Sequence, residues 1–138
     1  MLEIAQPLQE TRRHLAPAAD ERSAFGFVDR IRSEAPDATH HCWAFRLASG
    51  VTRSSDDGEP GGTAGPPILR RLESGDLVDV VAVVTRYYGG TNLGTGGLIR
   101  AYGPATEAAI EAATIETRRR TVAYRFVHSY ELSAQVNQ

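Results

Sequence analysis

Three carboxylates, Asp56, Asp57 and Glu59, fall within four residues and run into the sequence Gly61-Gly62-Thr63-Ala64-Gly65. Acids at that spacing could hold a hard cation or divide into a general acid and a general base. They could equally cap turns or pair with Arg53, Arg86 and Arg100. A second glycine-rich stretch, Gly89-Gly90-Thr91-Asn92-Leu93-Gly94-Thr95-Gly96-Gly97, lies between Arg86 and Arg100. Each stretch precedes a segment of helical periodicity. The N-terminus of a helix presents unpaired N–H groups and a partial positive charge, and glycine lets an anion approach the backbone. The candidate ligand- or anion-binding set is therefore Asp56, Asp57, Glu59, Gly62, Thr63 and Gly65 from the first stretch. From the second come Arg86, Gly89, Gly90, Gly94, Thr95, Gly96, Gly97 and Arg100. Glycines that only make tight turns are the competing explanation. Neither stretch matches a dinucleotide fingerprint, because Ile99 follows Gly94 and Gly96 where that signature needs glycine.

Other reactive types give less. His40 and His41 are adjacent, so in a strand they point to opposite faces and do not share one metal. His40 and Cys42 share a face, but Cys-His chemistry needs a third, orienting group, and none is identifiable. The chain has neither a G-x-S-x-G elbow nor an H-E-x-x-H pair. It also contains no lysine, which excludes a lysine Schiff base and a Walker A phosphate loop. A single cysteine excludes an internal disulfide and a multi-cysteine zinc site, and no metal or cofactor is expected.

The elements that must position these residues fit one domain. The chain has 138 residues, 41% hydrophobic and 23% charged, a soluble globular composition. No signal peptide or membrane-length apolar run is evident, so a cytoplasmic compartment is expected. Ala24, Phe25, Val28, Ile31 and Ala35 recur at helical spacing behind Asp20, a ready N-cap. Residues 40 to 47 alternate, with His41, Trp43, Phe45 and Leu47 on one face, and a short strand over residues 51 to 54 follows. A helix over 66 to 74 has proline in its first turn and Gly75 beyond its end. Residues 77 to 85 are nearly all β-branched and predict the central strand, buried on both faces. Leu98, Tyr102, Ala105, Ala109 and Ala113 predict a further helix, and residues 121 to 127 a last strand. The run Arg118-Arg119-Arg120 suits a solvated patch, and a net charge of −2 argues against strong nonspecific nucleic-acid binding.

Three motifs taken together resemble the IMPACT/YigZ family: Asp37-Ala38-Thr39-His40-His41-Cys42-Trp43-Ala44, Asp56 through Pro67, and Val83 through Gly103. The resemblance spans roughly residues 20 to 115. It implies an α+β fold, a two-layer sheet with helices mainly on one side, like the second domain of the fifth small-subunit ribosomal protein. Residues 1–127 would form this domain, and 128–138 a tail or the start of the ferredoxin-like domain that bacterial relatives usually carry. The eukaryotic relatives regulate translation as binding proteins. The implied function is thus a noncatalytic, translation-associated module that recognises RNA, the ribosome or a regulatory protein. An enzyme acting on a phosphorylated small molecule with Mg²⁺ is the alternative, suggested by kinases of the same fold. Two departures stand out: Asn92 takes a position where the family commonly has lysine, and the family's N-terminal Ser-Arg/Lys-Phe motif is missing.

These elements predict one cleft at the C-terminal end of the central strand. There Asp57 would be held by an arginine or by glycine-loop N–H groups, and an anion would settle near Gly94 to Gly97.

Overall fold

Val80–Tyr87 is a strand whose side chains are buried from Val80 through Arg86, as a β-branched run flanked on both sides by other strands requires. The computed structural model describes residues 10–88 and 92–113. Within them the elements run β1 (Glu10–Pro17), α1 (Glu21–Glu34), β2 (His40–Arg46), β3 (Thr52–Ser55), α2 (Gly65–Ser74), β4 (Val80–Tyr87) and α3 (Gly94–Ala112). The four strands form one sheet in the order β1-β4-β2-β3, and every neighbouring pair is antiparallel. The fold is α+β, as expected. The expected strand at 121–127, the run at 118–120, the segment 128–138 and both Gly89 and Gly90 lie outside the described residues.

Alternation decides which face each strand residue joins. Trp43, Phe45, Val81 and Val83 face α1, packing on Ala24, Val28 and Ile31. Cys42, Ala44, Ala82 and Val84 face the other way, onto Ile68 and Leu72 of α2 and Leu98 and Tyr102 of α3. Two of the three helices thus cover one face, and α1 covers the other. α1 begins where the sequence places it: Asp20 accepts from the Ser23 N–H at 2.8 Å, and the Ser23 hydroxyl returns to Asp20, a reciprocal cap.

Two strands depart most from expectation. β4 starts at Val80 rather than at 77, because the Leu77 N–H bonds to the Leu72 carbonyl at the end of α2 and Asp76 and Asp79 adopt positive φ. β1 was not anticipated. Its sequence, ETRRHLAP, lacks apolar alternation, and among the described residues it lies at the edge of the sheet, paired with β4 alone, where fewer of its side chains need be buried.

Candidate functional site

β3 ends at Ser55, and the chain must then turn back to start α2 ten residues later. Positive φ at Asp57 (41°) and Gly58 (89°) reverses it. This turn sends the neighbouring carboxylates in different directions. Asp56 reaches the start of α2, where Oδ1 accepts N–H bonds from Ala64 (3.0 Å) and Gly65 (2.8 Å) and Oδ2 accepts one from Gly62 (2.8 Å). Burial alone would raise the Asp56 carboxyl, but these three donors outweigh it and hold the group below the usual carboxylate range. The N-cap residue, Ala64, offers no side-chain acceptor, so Asp56 supplies the anion that this helix end attracts. Asp56→Ala should cost about 2 kcal/mol in urea denaturation, at the upper end for loss of a helix cap. Gly65 has a steric reason: a Cβ there would lie 2.8–2.9 Å from the backbone of Ser55.

Asp57 turns toward the sheet. Its Oδ2 accepts the His41 N–H at 2.7 Å, and its Oδ1 lies 3.6 Å from Arg32 of α1. An arginine thus stands beside Asp57, but it is Arg32 of α1 rather than Arg53, Arg86 or Arg100, and the glycine-loop donors go to Asp56 instead. His40 donates from Nδ1 to the Asp57 carbonyl at 2.7 Å, because a carbonyl oxygen only accepts. This leaves His40 Nε2 3.5 Å from Glu59.

Glu59 is the centre of the arrangement, with its side chain 2% exposed. Arg86 donates to it from Nε (2.6 Å) and from Nη2 (3.0 Å), a two-pronged pairing suited to a planar guanidinium. The Tyr102 hydroxyl donates to Glu59 Oε2 as well. Burial would raise the Glu59 carboxyl, but Arg86, Tyr102 and His40 together bring it below its ordinary value. Burial and the neighbouring Cys42 and Glu59 push the Tyr102 phenol up, so it remains a donor. Cys42 gives its thiol hydrogen to the Asp56 carbonyl at 3.1 Å, and burial pushes its pKa up to about 12. A thiol held there is not a nucleophile at neutral pH.

Glu59 therefore ties the acidic loop to the end of β4 through Arg86 and to α3 through Tyr102. At the start of α3, Asn92 Oδ1 accepts the Gly94 N–H at 3.1 Å, so asparagine caps the loop where lysine is common in the resembled family. A Cβ on Gly96 would lie 3.1 Å from Arg100 Nη1, which shows the exposed guanidinium folded back over the first turn of α3. Thr95 is exposed beside it, and a Cβ on Gly97 would meet Leu93 at 2.9 Å. Thr63, by contrast, is buried and donates to the Pro60 carbonyl at 2.6 Å. Next to Arg86, Tyr88 is 49% exposed. Its N–H bonds to Thr39 Oγ1 at 3.0 Å, and the Arg86 guanidinium carbon lies 5.5 Å from its ring centroid.

The sequence reading missed Tyr88, Arg32, Thr39 and the hydroxyl of Tyr102. Tyr102 was recognisable as a core-facing helical residue, and a buried phenol needs a partner, which pointed toward a nearby acid. Among the described residues, no three of His, Cys, Asp and Glu group to hold a metal ion, and no helix is long and apolar enough to cross a membrane.

Comparison with known proteins places this geometry in context. A family model for the Impact N-terminal domain matches residues 12–110. The chain is 50% identical over 93 residues to a Haemophilus influenzae protein named IMPACT family member, covering 64% of this chain and 45% of that protein. It is 46% identical over 112 residues to the Escherichia coli IMPACT family member YigZ, covering 78% and 53% respectively. The chain thus spans about half the length of these relatives. A crystal structure of a hypothetical protein, 40% identical, superimposes with a TM-score of 0.76 over 80% of this chain and 56% of that one.

Proposed function

The chain belongs to the Impact N-terminal domain family, and from that premise we propose that it is a noncatalytic binding module of translation that recognises RNA, free or on the ribosome. Its motifs are most similar to those of the bacterial members, and the eukaryotic members of the same family regulate translation as binding proteins. The observation that carries this reading is the inward commitment of the acids. Asp56 fills the start of α2, and Glu59 is enclosed by Arg86 and Tyr102. What faces outward is a different chemistry: Tyr88 is exposed just after β4, and Leu93, Ile99 and Arg100 are exposed at the start of α3. An aromatic ring that stays accessible while arginine and backbone bonds fix it suits stacking by an unpaired base, worth about 1–3 kcal/mol per base. Arg100 and the N–H groups of the glycine turn suit the adjoining phosphate.

Arg100→Ala tests this directly. Affinity for a short single-stranded RNA should fall about tenfold, or ~1.4 kcal/mol, while the melting temperature stays that of the parent. A lower melting temperature with unchanged affinity would assign Arg100 to folding instead. The Mg²⁺-dependent enzyme reading asks the acidic loop to turn its carboxylates toward a phosphate. Calorimetry with Mg²⁺ and nucleotides is expected to show no binding heat, and a stoichiometric isotherm would favour the enzyme.

A further inference from the structure

We propose that the groove between α1 and the outer edge of β1 is a docking site for an extended acidic peptide, which adds to β1 as a further strand. Among the described residues β1 has only β4 as a sheet neighbour, so its other side is an edge. In an antiparallel ladder alternate residues turn their N–H and C=O groups away from the partner strand. The eight residues of β1 therefore present a row of donors and acceptors along that side. α1 runs beside this edge and leaves a groove of about 710 Å³, bounded by Arg13, His14 and Ala16 of β1 and by Gly26, Phe27 and Arg30 of α1. A slot between an edge strand and a helix is a geometry that extended peptides enter by strand addition.

Charge selects the occupant. Two arginines, Arg13 and Arg30, line the groove beside His14, whose imidazole burial holds below its ordinary value and so uncharged at neutral pH, and no carboxylate is among the lining residues. Arg30 is poised over the Phe27 ring, 5.2 Å from its centroid. Its partner, Glu34, lies 3.4 Å away and both side chains are mostly exposed, a weak pairing that a docking carboxylate can replace. Gly26 supplies the independent sign. Glycine is unfavourable inside a helix, yet no described atom lies within 4 Å of where its Cβ would be. The internal packing of the described chain does not demand the glycine, whereas an incoming backbone does. The apolar contribution of Ala16 and Phe27, together with a row of both donors and acceptors, favours a polypeptide over a nucleic acid.

The test uses the full chain and a labelled, acetylated peptide of alternating valine and glutamate, about eight residues long to match the edge strand. Fluorescence anisotropy should show saturable binding. Gly26→Leu should lower the affinity at least tenfold while melting no lower than the parent, because leucine favours the helix and fills the groove. Arg30→Glu should weaken binding to a similar degree, and replacing the glutamates of the peptide by lysine should abolish it. Equal binding of the lysine peptide, or unchanged affinity of the Gly26→Leu protein, would overturn the proposal. So would displacement of the peptide by single-stranded RNA. Absence of peptide binding to the full chain would also overturn it, whether the groove is then occupied by another part of this chain or by a second copy.

Discussion

Glu59→Ala is expected to destabilise the fold by about 3–5 kcal/mol in urea denaturation, because it removes the carboxylate that pairs with the buried Arg86 guanidinium through two hydrogen bonds. Both side chains are almost fully enclosed, 2% and 6% exposed, so water cannot take the place of the carboxylate without opening the fold. Tyr102 loses its acceptor in the same step. The double variant Glu59→Leu with Arg86→Met should recover much of the loss, since it removes the guanidinium together with the carboxylate. Acid gives an independent check. The Glu59 carboxyl lies below its ordinary value in the folded chain, so its contribution is complete above the unfolded value near 4.5 and disappears as the pH falls through the folded value. Glu59→Gln should therefore flatten the decline of stability below about pH 4.5. A Glu59→Ala protein as stable as the parent, with the same acid profile, would contradict the buried pairing.

The second large effect lies on the opposite face of the sheet. Phe45 is fully buried, its ring stacked on Trp43 at 5.7 Å and met edge-on by Phe25 of α1 at 5.3 Å. Phe45→Ala removes one ring of a trio in which each ring touches the other two, and it leaves a cavity that neither neighbour can fill, because α1 is held at its start by the Asp20 cap. The expected cost is about 3–5 kcal/mol, read as a lower midpoint in urea or a lower melting temperature. An unchanged midpoint would show that α1 does not pack where Phe25, Val28 and Ile31 place it.

Much of this architecture was legible because it is local. The spacing of Ala24, Val28 and Ile31, the alternation from His40 to Arg46 and the β-branched run in β4 each declare one element and the face it buries. The edge strand was hidden, because β1 is stabilised by its ladder to β4 and carries little apolar pattern of its own. Within the site, the sequence marked the acidic loop and Arg86 but not how the acids divide. Asp56 and Asp57 are chemically alike, and only the positive φ of Asp57 decides that one faces α2 while the other faces β2. Likewise, the contact of Glu59 with Tyr102 spans 43 residues and exists only once α3 packs beside α2 on that face of the sheet.

The most direct measurement is a titration of the unmodified chain with single-stranded RNA and with ribosomes over a series of salt concentrations. An outward face of Tyr88, Arg100 and the glycine turn predicts binding at low salt that weakens linearly on a log–log plot, with a slope of about −0.7 for each phosphate contacted. Complete indifference to both RNA and ribosomes at low salt would contradict the assignment of this face to nucleic-acid recognition.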